Sequence, residues 1–207
     1  MDLDKIYRET PLSKIPWNYE TPPESLVDLI NRGQIKPCKT IDFGCGIGIY
    51  AIYLAVKGFD VTGIDISPSA ISIAKKRANE KGIKCNFLVA DIVGKLEDLK
   101  DKFDFAYDWE LLHHIFPENR KQYVENVYKL LNPKARYLSV CFSEKDPCFG
   151  GQEKYRETPL GTVLYFSSKE ELEDLFKPRF RIIELKTIEI RGKPVPHIAN
   201  YAFMERI

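Results

Sequence analysis

The stretch Ile41-Asp42-Phe43-Gly44-Cys45-Gly46-Ile47-Gly48 decides how the rest of the chain is read. An apolar run enters from Lys39-Thr40 and ends on an acid, and a helical pattern begins at Ile49. Between them stand three glycines at alternate positions. Glycine has no Cβ, so the turn accepts positive φ and a ligand can rest on bare backbone. The helix that follows offers its first unpaired N–H groups at the same place. An acid two residues before the first glycine suits a ligand with a cationic end, such as an amino-acid ammonium. It suits a pyrophosphate badly, because a carboxylate repels one.

Two more acids fall where such a ligand needs them. Phe59-Asp60-Val61-Thr62-Gly63-Ile64-Asp65 reads as a second strand ending on Asp65. A carboxylate about 20 residues after a glycine turn is a usual grip on ribose hydroxyls. Cys85-Asn86-Phe87-Leu88-Val89-Ala90 reads as a third strand, followed by Asp91, which can accept from an exocyclic adenine amine while Ile92 covers the ring. Phe103 to Asp108 reads as a fourth strand, followed by Leu111-Leu112-His113-His114-Ile115.

In this order the motifs resemble the class I S-adenosylmethionine-dependent methyltransferases, over roughly residues 38 to 142. The resemblance implies a Rossmann-like α/β fold, a doubly wound and mostly parallel seven-stranded sheet closed by a C-terminal antiparallel hairpin. It implies S-adenosylmethionine as cofactor and S-adenosylhomocysteine as product. It implies cofactor contacts from Asp42, Gly44, Cys45, Gly46, Gly48, Asp65, Ile66, Asp91, Ile92 and Asp108, the last at the methionine end. Trp17, in Pro16-Trp17-Asn18-Tyr19, is loosely similar to the aromatic segment that closes over the cofactor in the thiopurine, thiol and tellurite branch. A planar ring over a sulfonium gains cation–π energy.

Gly46-Ile47-Gly48-Ile49-Tyr50-Ala51 also matches a dinucleotide fingerprint, and Asp65 serves that reading equally well. Asp42 and Asp91 are not required by it. The same residues leave open a protein or nucleic-acid methyltransferase, and a binder of adenosylmethionine or adenosylhomocysteine without activity. Tyr107-Asp108-Trp109-Glu110 stands where amino-group enzymes acting on nucleic acids carry Asn-Pro-Pro-Tyr, and a net charge of +1 gives no basic bulk. A small-molecule acceptor is therefore expected, with no nucleic-acid partner, no membrane partner and a monomer or weak homodimer.

Chemistry on the acceptor is expected from Glu110, His113 and His114, although adjacent residues on a helical turn point well apart and one of the two histidines should only pack. Tyr19, Arg156 and Tyr165 are the substrate-binding candidates, Arg156 as a partner for an anion. His197 is expected in the last hairpin without chemistry. The five cysteines are odd in number and lack Cys-x-x-Cys spacing, so neither a disulfide framework nor a metal site is expected.

At 207 residues, 44% hydrophobic and 29% charged, the chain reads as one domain over 1–207, with 1–37 as an N-terminal lid and helical segment. Its apolar runs are too short to span a membrane, and its N-terminus lacks a signal-peptide pattern, so a cytoplasmic protein is expected. Helices are expected from Thr21-Pro22-Pro23 to Gly33, from Ile49 to Val56, from Ser67-Pro68 to Gly82, at Gly94–Leu99, from Pro117 to Leu131, and from Ser167 or Ser168 to Phe176. Strands are expected over Ala135–Phe142, Phe180–Ile190 and Ile198–Met204. Residues 143–163 show neither period, and so long a loop is usually functional.

Overall fold

A computed structural model of the protein describes residues 3–96, 99–193 and 195–207. Seven strands form one sheet: β1 (Lys39–Phe43), β2 (Asp60–Asp65), β3 (Asn86–Val89), β4 (Phe103–Trp109), β5 (Leu131–Phe142), β8 (Phe180–Ile190) and β9 (His197–Arg206). Two short strands, β6 (Tyr155–Glu157) and β7 (Val163–Tyr165), pair separately. Six α-helices accompany them among the described residues: α1 (Leu3–Glu9), α2 (Glu24–Asn31), α3 (Ile49–Val56), α4 (Pro68–Glu80), α5 (Pro117–Leu130) and α6 (Lys169–Phe176). The sheet order is β3-β2-β1-β4-β5-β9-β8. Within this sheet the pairs are parallel except β5–β9 and β8–β9, so β9 runs against the other six strands. A connection as short as that between β8 and β9 permits nothing else.

Strand parity divides the core in two. Phe105 and Tyr107, Leu138 and Val140, and Tyr201 and Phe203 face the side covered by α2, α3 and α4. Ile41 and Phe43, Ala106, Tyr137 and Cys141, and Ala202 and Met204 face the side covered by α5 and α6. Both faces are apolar, as a sheet buried on two sides requires.

The helix starts follow from local chemistry. Ser67 accepts from the Ala70 N–H at the head of α4, with Pro68 in the first turn. Ser168 and Glu171 form a reciprocal capping box on α6. Thr21 does not cap α2. Pro23 holds that position, and the Thr21 hydroxyl instead accepts from Arg191 at 2.6 Å. The helix read at 94–99 includes residues 97 and 98, which lie outside the described residues, and Gly94–Leu96 is not helical. Among the described residues no helix is long and apolar enough to cross a membrane.

Two residues read as cofactor contacts serve the fold instead. Gly48 has φ +75, and a Cβ there would lie 2.7 Å from Phe87 and 2.9 Å from Ala74. It lets α3 pack against the sheet and does not line the cavity described below. Asp108 is fully buried on the α5 face of β4, because parity turns it away from Tyr107 and Trp109. Its Oδ2 accepts from the Tyr123 hydroxyl at 2.8 Å and the Tyr137 hydroxyl at 2.5 Å, and its Oδ1 has no partner. Burial, only partly offset by these hydroxyls, pushes its carboxyl up to about 6.

Gly48→Ala combines a left-handed alanine with an overpacked contact. It is expected to lower unfolding free energy by about 2–4 kcal/mol; an unchanged denaturation midpoint would contradict the packing role. Asp108 makes stability depend on pH with a definite sign. Its folded value lies above the ordinary 3.8, so the folded state keeps a proton that the unfolded chain gives up. Stability from this group is complete below about pH 4 and falls by about 3 kcal/mol as pH rises to about 6. Asp108→Asn should flatten denaturation midpoints across that window, and an unaltered slope would show that Asp108 does not hold the proton.

Candidate functional site

The chain order reverses between β1 and β4, and in such sheets ligands bind in the crevice beyond the strand ends at that point. A cavity of about 600 Å³ opens there, within the range of small-molecule and cofactor sites. It divides into a floor at the glycine turn, a roof from the N-terminal segment and a wall beyond β4.

The floor is organised by Asp65. Its Oδ2 accepts from the Gly46 N–H at 2.8 Å and its Oδ1 from the Ser67 N–H at 2.9 Å. Gly44 and Cys45 both donate backbone N–H bonds to the Ile64 carbonyl, which folds the turn back on β2. Asp42 lies beneath the turn, buried, with Oδ2 lacking any partner. Burial, reinforced by Asp65 and Asp108, raises its carboxyl well above the ordinary range despite Tyr107. Burial, reinforced by Asp42 and Asp65, pushes the Cys45 thiol well up and disfavours its thiolate. Asp91 accepts from the Val93 N–H at 2.9 Å at the far end of the floor, between exposed Ile66 and buried Ile92.

The roof is docked at both ends. Asp4 of α1 accepts from the Ser67 hydroxyl at 2.6 Å and the Ser69 N–H at 2.8 Å, which seats α1 on the head of α4. Tyr7 then lies across the glycine turn, where a Cβ on Gly46 would come within 3.0 Å of its hydroxyl. The Trp17 indole donates to that hydroxyl at 2.9 Å and meets His114 edge-on. At the other end Lys193 donates to the Asn18 carbonyl and Arg191 to Thr21, and both cations lie over the Tyr19 ring.

The wall holds the titratable groups. Glu110 follows β4 directly and has φ +64, a left-handed state that few non-glycine residues adopt. Its carboxylate lines the cavity with no hydrogen bond or ion pair among the described residues. Burial, only partly countered by His197, pushes it up to about 7. His113 and His114 sit in a short 3-10 turn and both adjoin the cavity, and His113 is the more tightly packed of the two. His113 accepts from the Phe142 N–H through Nδ1 at 3.3 Å and stacks on the Phe142 ring. Burial holds both imidazoles neutral, His113 far below its ordinary range and His114 at about 4.

His197, expected to be idle, lies in this wall. Its Nδ1 meets Asp146 Oδ2 at 3.0 Å, and its ring clusters with Phe142 and Phe149 at centroid distances of 4.5 and 5.4 Å. Burial raises Asp146, but bonds from His197 and from the Cys148 and Ile198 N–H groups outweigh it and hold the carboxyl below its ordinary value. No sequence signal joins residues 51 apart. The stretch 143–163, read as a loop, contains β6, and with β7 it makes a hairpin whose turn residues Thr158, Leu160 and Thr162 close the wall.

Two of the three substrate-binding candidates have other uses. Arg156 is buried, donates to the backbone carbonyls of Glu144, Asp146, Cys148 and Glu153, and stacks over Phe166. It clamps the chain after β5 with four of its five N–H donors and does not line the cavity. The Tyr165 hydroxyl donates to Glu171 at 2.7 Å, outside the cavity. Tyr19 does line the cavity, its hydroxyl pushed up to about 12 by burial and by Glu110.

A family model described as a methyltransferase domain matches residues 41–134. The chain is 32% identical over 130 residues to a 2-heptyl-1-hydroxyquinolin-4(1H)-one methyltransferase of Mycobacteroides abscessus, a match covering 62% of this chain and 56% of that relative. It thus spans little more than half the relative's length. A solved structure described as "Conversion of a Disulfide Bond into a Thioacetal Group during Echinomycin Biosynthesis" superposes with a TM-score of 0.83 at 26% identity, over 98% of this chain and 90% of the other. Magnesium protoporphyrin IX methyltransferase from Synechocystis PCC 6803 with bound adenosylmethionine shares the fold at a TM-score of 0.67 and 18% identity, over 89% of this chain and 77% of the other.

Proposed function

We propose that the chain is a class I S-adenosylmethionine-dependent methyltransferase that transfers a methyl group from S-adenosylmethionine to a small-molecule acceptor by in-line displacement, a reading supported by the methyltransferase-domain match and the methyltransferase relatives. The observation that carries this reading is the orphaned oxygen of buried Asp42 beside the glycine turn. A buried acid with one oxygen unpaired there is costly unless a cation joins it, and an amino-acid ammonium is the cation such a cofactor brings. Asp65 retains lone pairs for ribose hydroxyls beyond the two backbone bonds it accepts. Asp91, Ile66 and Ile92 suit the adenine, and Trp17 and Tyr7 cover the methionine end.

The bound cofactor supplies an activated methyl on a sulfonium, and the protein's own contribution is mainly alignment and exclusion of water. Glu110 is the catalytic carboxyl in this reading. Its value near 7 lets it exchange a proton at neutral pH, which matters whenever the nucleophile carries one. Tyr19 and the aromatic wall support a flat, largely apolar acceptor, in keeping with the hydroxyquinolinone named for the mycobacterial relative. Five free cysteines support placing the reaction in a reducing cytoplasm.

Isothermal titration tests the cofactor assignment. Adenosylhomocysteine is expected to bind and NAD is not; NAD binding without adenosylhomocysteine binding would end the methyltransferase reading. Asp65→Ala is expected to weaken adenosylhomocysteine by about 1–3 kcal/mol. Residues 1–37 act as a lid that opens for exchange. Trypsin should cut at Arg8 or Lys14 in the free protein and more slowly with adenosylhomocysteine at saturation. Equal rates in the two states would mean a permanently closed latch.

A further inference from the structure

The Asp146–His197 pair has the form of a proton-handling site, and the assigned cofactor contacts leave it unused. Phe142 and Phe149 both pack against the His197 ring and against each other, and Nδ1 is held by Asp146. Asp146 is itself fixed by the Ile198 N–H at 2.6 Å and the Cys148 N–H at 2.7 Å. An ionised carboxylate on Nδ1 places the ring proton there and leaves Nε2 as an acceptor. Nε2 makes no hydrogen bond to the described residues, and the ring lines the cavity. Gly192 passes so close to this edge that a Cβ would lie 2.6 Å from Cδ2 and 3.1 Å from Nε2. Glu110 faces the same imidazole closely enough to feel its charge.

We propose that His197, positioned by Asp146, receives the proton of the methyl acceptor, and that the acceptor is a hydroxylated aromatic ring seated against Glu110 and the Phe142–Phe149 wall. The inference rests on the methyltransferase reading and deepens it. In the step, the acceptor O–H bond breaks and its proton passes to Nε2. The electron pair left on oxygen forms the bond to the methyl carbon as the carbon–sulfur bond breaks, and that bond's electrons remain on sulfur as a neutral thioether. The imidazolium lies between the Asp146 carboxylate and Glu110, and the proton leaves to solvent by way of Glu110. Asp146 touches no substrate and is a positioning residue.

Several other groups face this pair. Cys148 and the Arg156 guanidinium adjoin Asp146 from the chain after β5 and from β6. Neutral His113 faces His197 from the 3-10 turn. Tyr19 and Tyr50 face Glu110, and Arg191 acts on both tyrosines from the β8–β9 turn. Among these groups only His197 offers an unpartnered ring nitrogen beside an ionised carboxylate.

The test uses the full chain saturated with adenosylhomocysteine and 4-nitrophenol as probe, because absorbance reads the ionisation of the bound phenol directly. Bound probe is expected to ionise with a constant at least ten-fold larger than in water. His197→Phe keeps the stacked rings and should abolish that gain, with adenosylhomocysteine affinity unchanged. Asp146→Asn should reduce it, and if that variant does not fold, His197→Phe carries the result. Nitrobenzene, which has no acidic proton, should bind wild type and His197→Phe alike. If adenosylhomocysteine binds but 4-nitrophenol does not, or ionises equally in wild type and His197→Phe, the proposal is overturned while the cofactor assignment stands. Failure of adenosylhomocysteine itself to bind would remove both.

Discussion

Everything around the cavity depends on one carboxylate accepting two backbone N–H groups. Asp65 joins Gly46, in the turn after β1, to Ser67, at the head of α4. Two crossover units that share only a strand pairing are thereby locked at their ligand-binding ends. The lock propagates outward, because Ser67 is also the residue on which Asp4 seats α1. Glycine turn, helix head and roof form one hydrogen-bonded chain. A shift of the Asp65 side chain would therefore be felt in the N-terminal segment as well as in the floor.

The cavity is electrostatically one-sided. Asp42, Asp65 and Glu110 all have carboxyls raised chiefly by burial. The two histidines beside them are held neutral, and the nearby cations lie at the rim, over Tyr19. Such a site is incomplete without an internal positive charge. A zwitterionic, sulfonium-bearing ligand meets that requirement, and its neutral thioether product meets it less well by one charge. The same imbalance that favours loading therefore weakens the hold on what is left after transfer.

Much of this was legible in the sequence because it is local. The acids that end β1 and β2, and the one just past β3, stand at fixed offsets from glycines and β-rich runs. The eleven residues of β8 were delimited end to end by their alternation. What escaped was either a matter of parity or of distance. Asp108 stands at the right end of its strand but on the wrong face, and a one-residue change of parity separates a pocket residue from a buried hub. Strands β6 and β7 have three residues each, too few for a period to register. His197 and Asp146 come together only because β9 lies against β5, and Arg156 is recruited by carbonyls, which no residue type announces.

The roof is fastened unequally. Its α1 end is held by short bonds from a serine hydroxyl and a backbone amide, whereas its other end is held by Arg191 and Lys193, whose bonds to the segment are exposed. Each end joins one ionised side chain to neutral groups, so the difference between them is exposure: the bonds to Asp4 are part-buried and those from Arg191 and Lys193 are open to water. Local opening starts where backbone and side-chain bonds are exposed. If the segment moves over the site, the end at Asp4 is the one that stays, and water competing at the other end sets how long a ligand remains enclosed without altering the surfaces that recognise it.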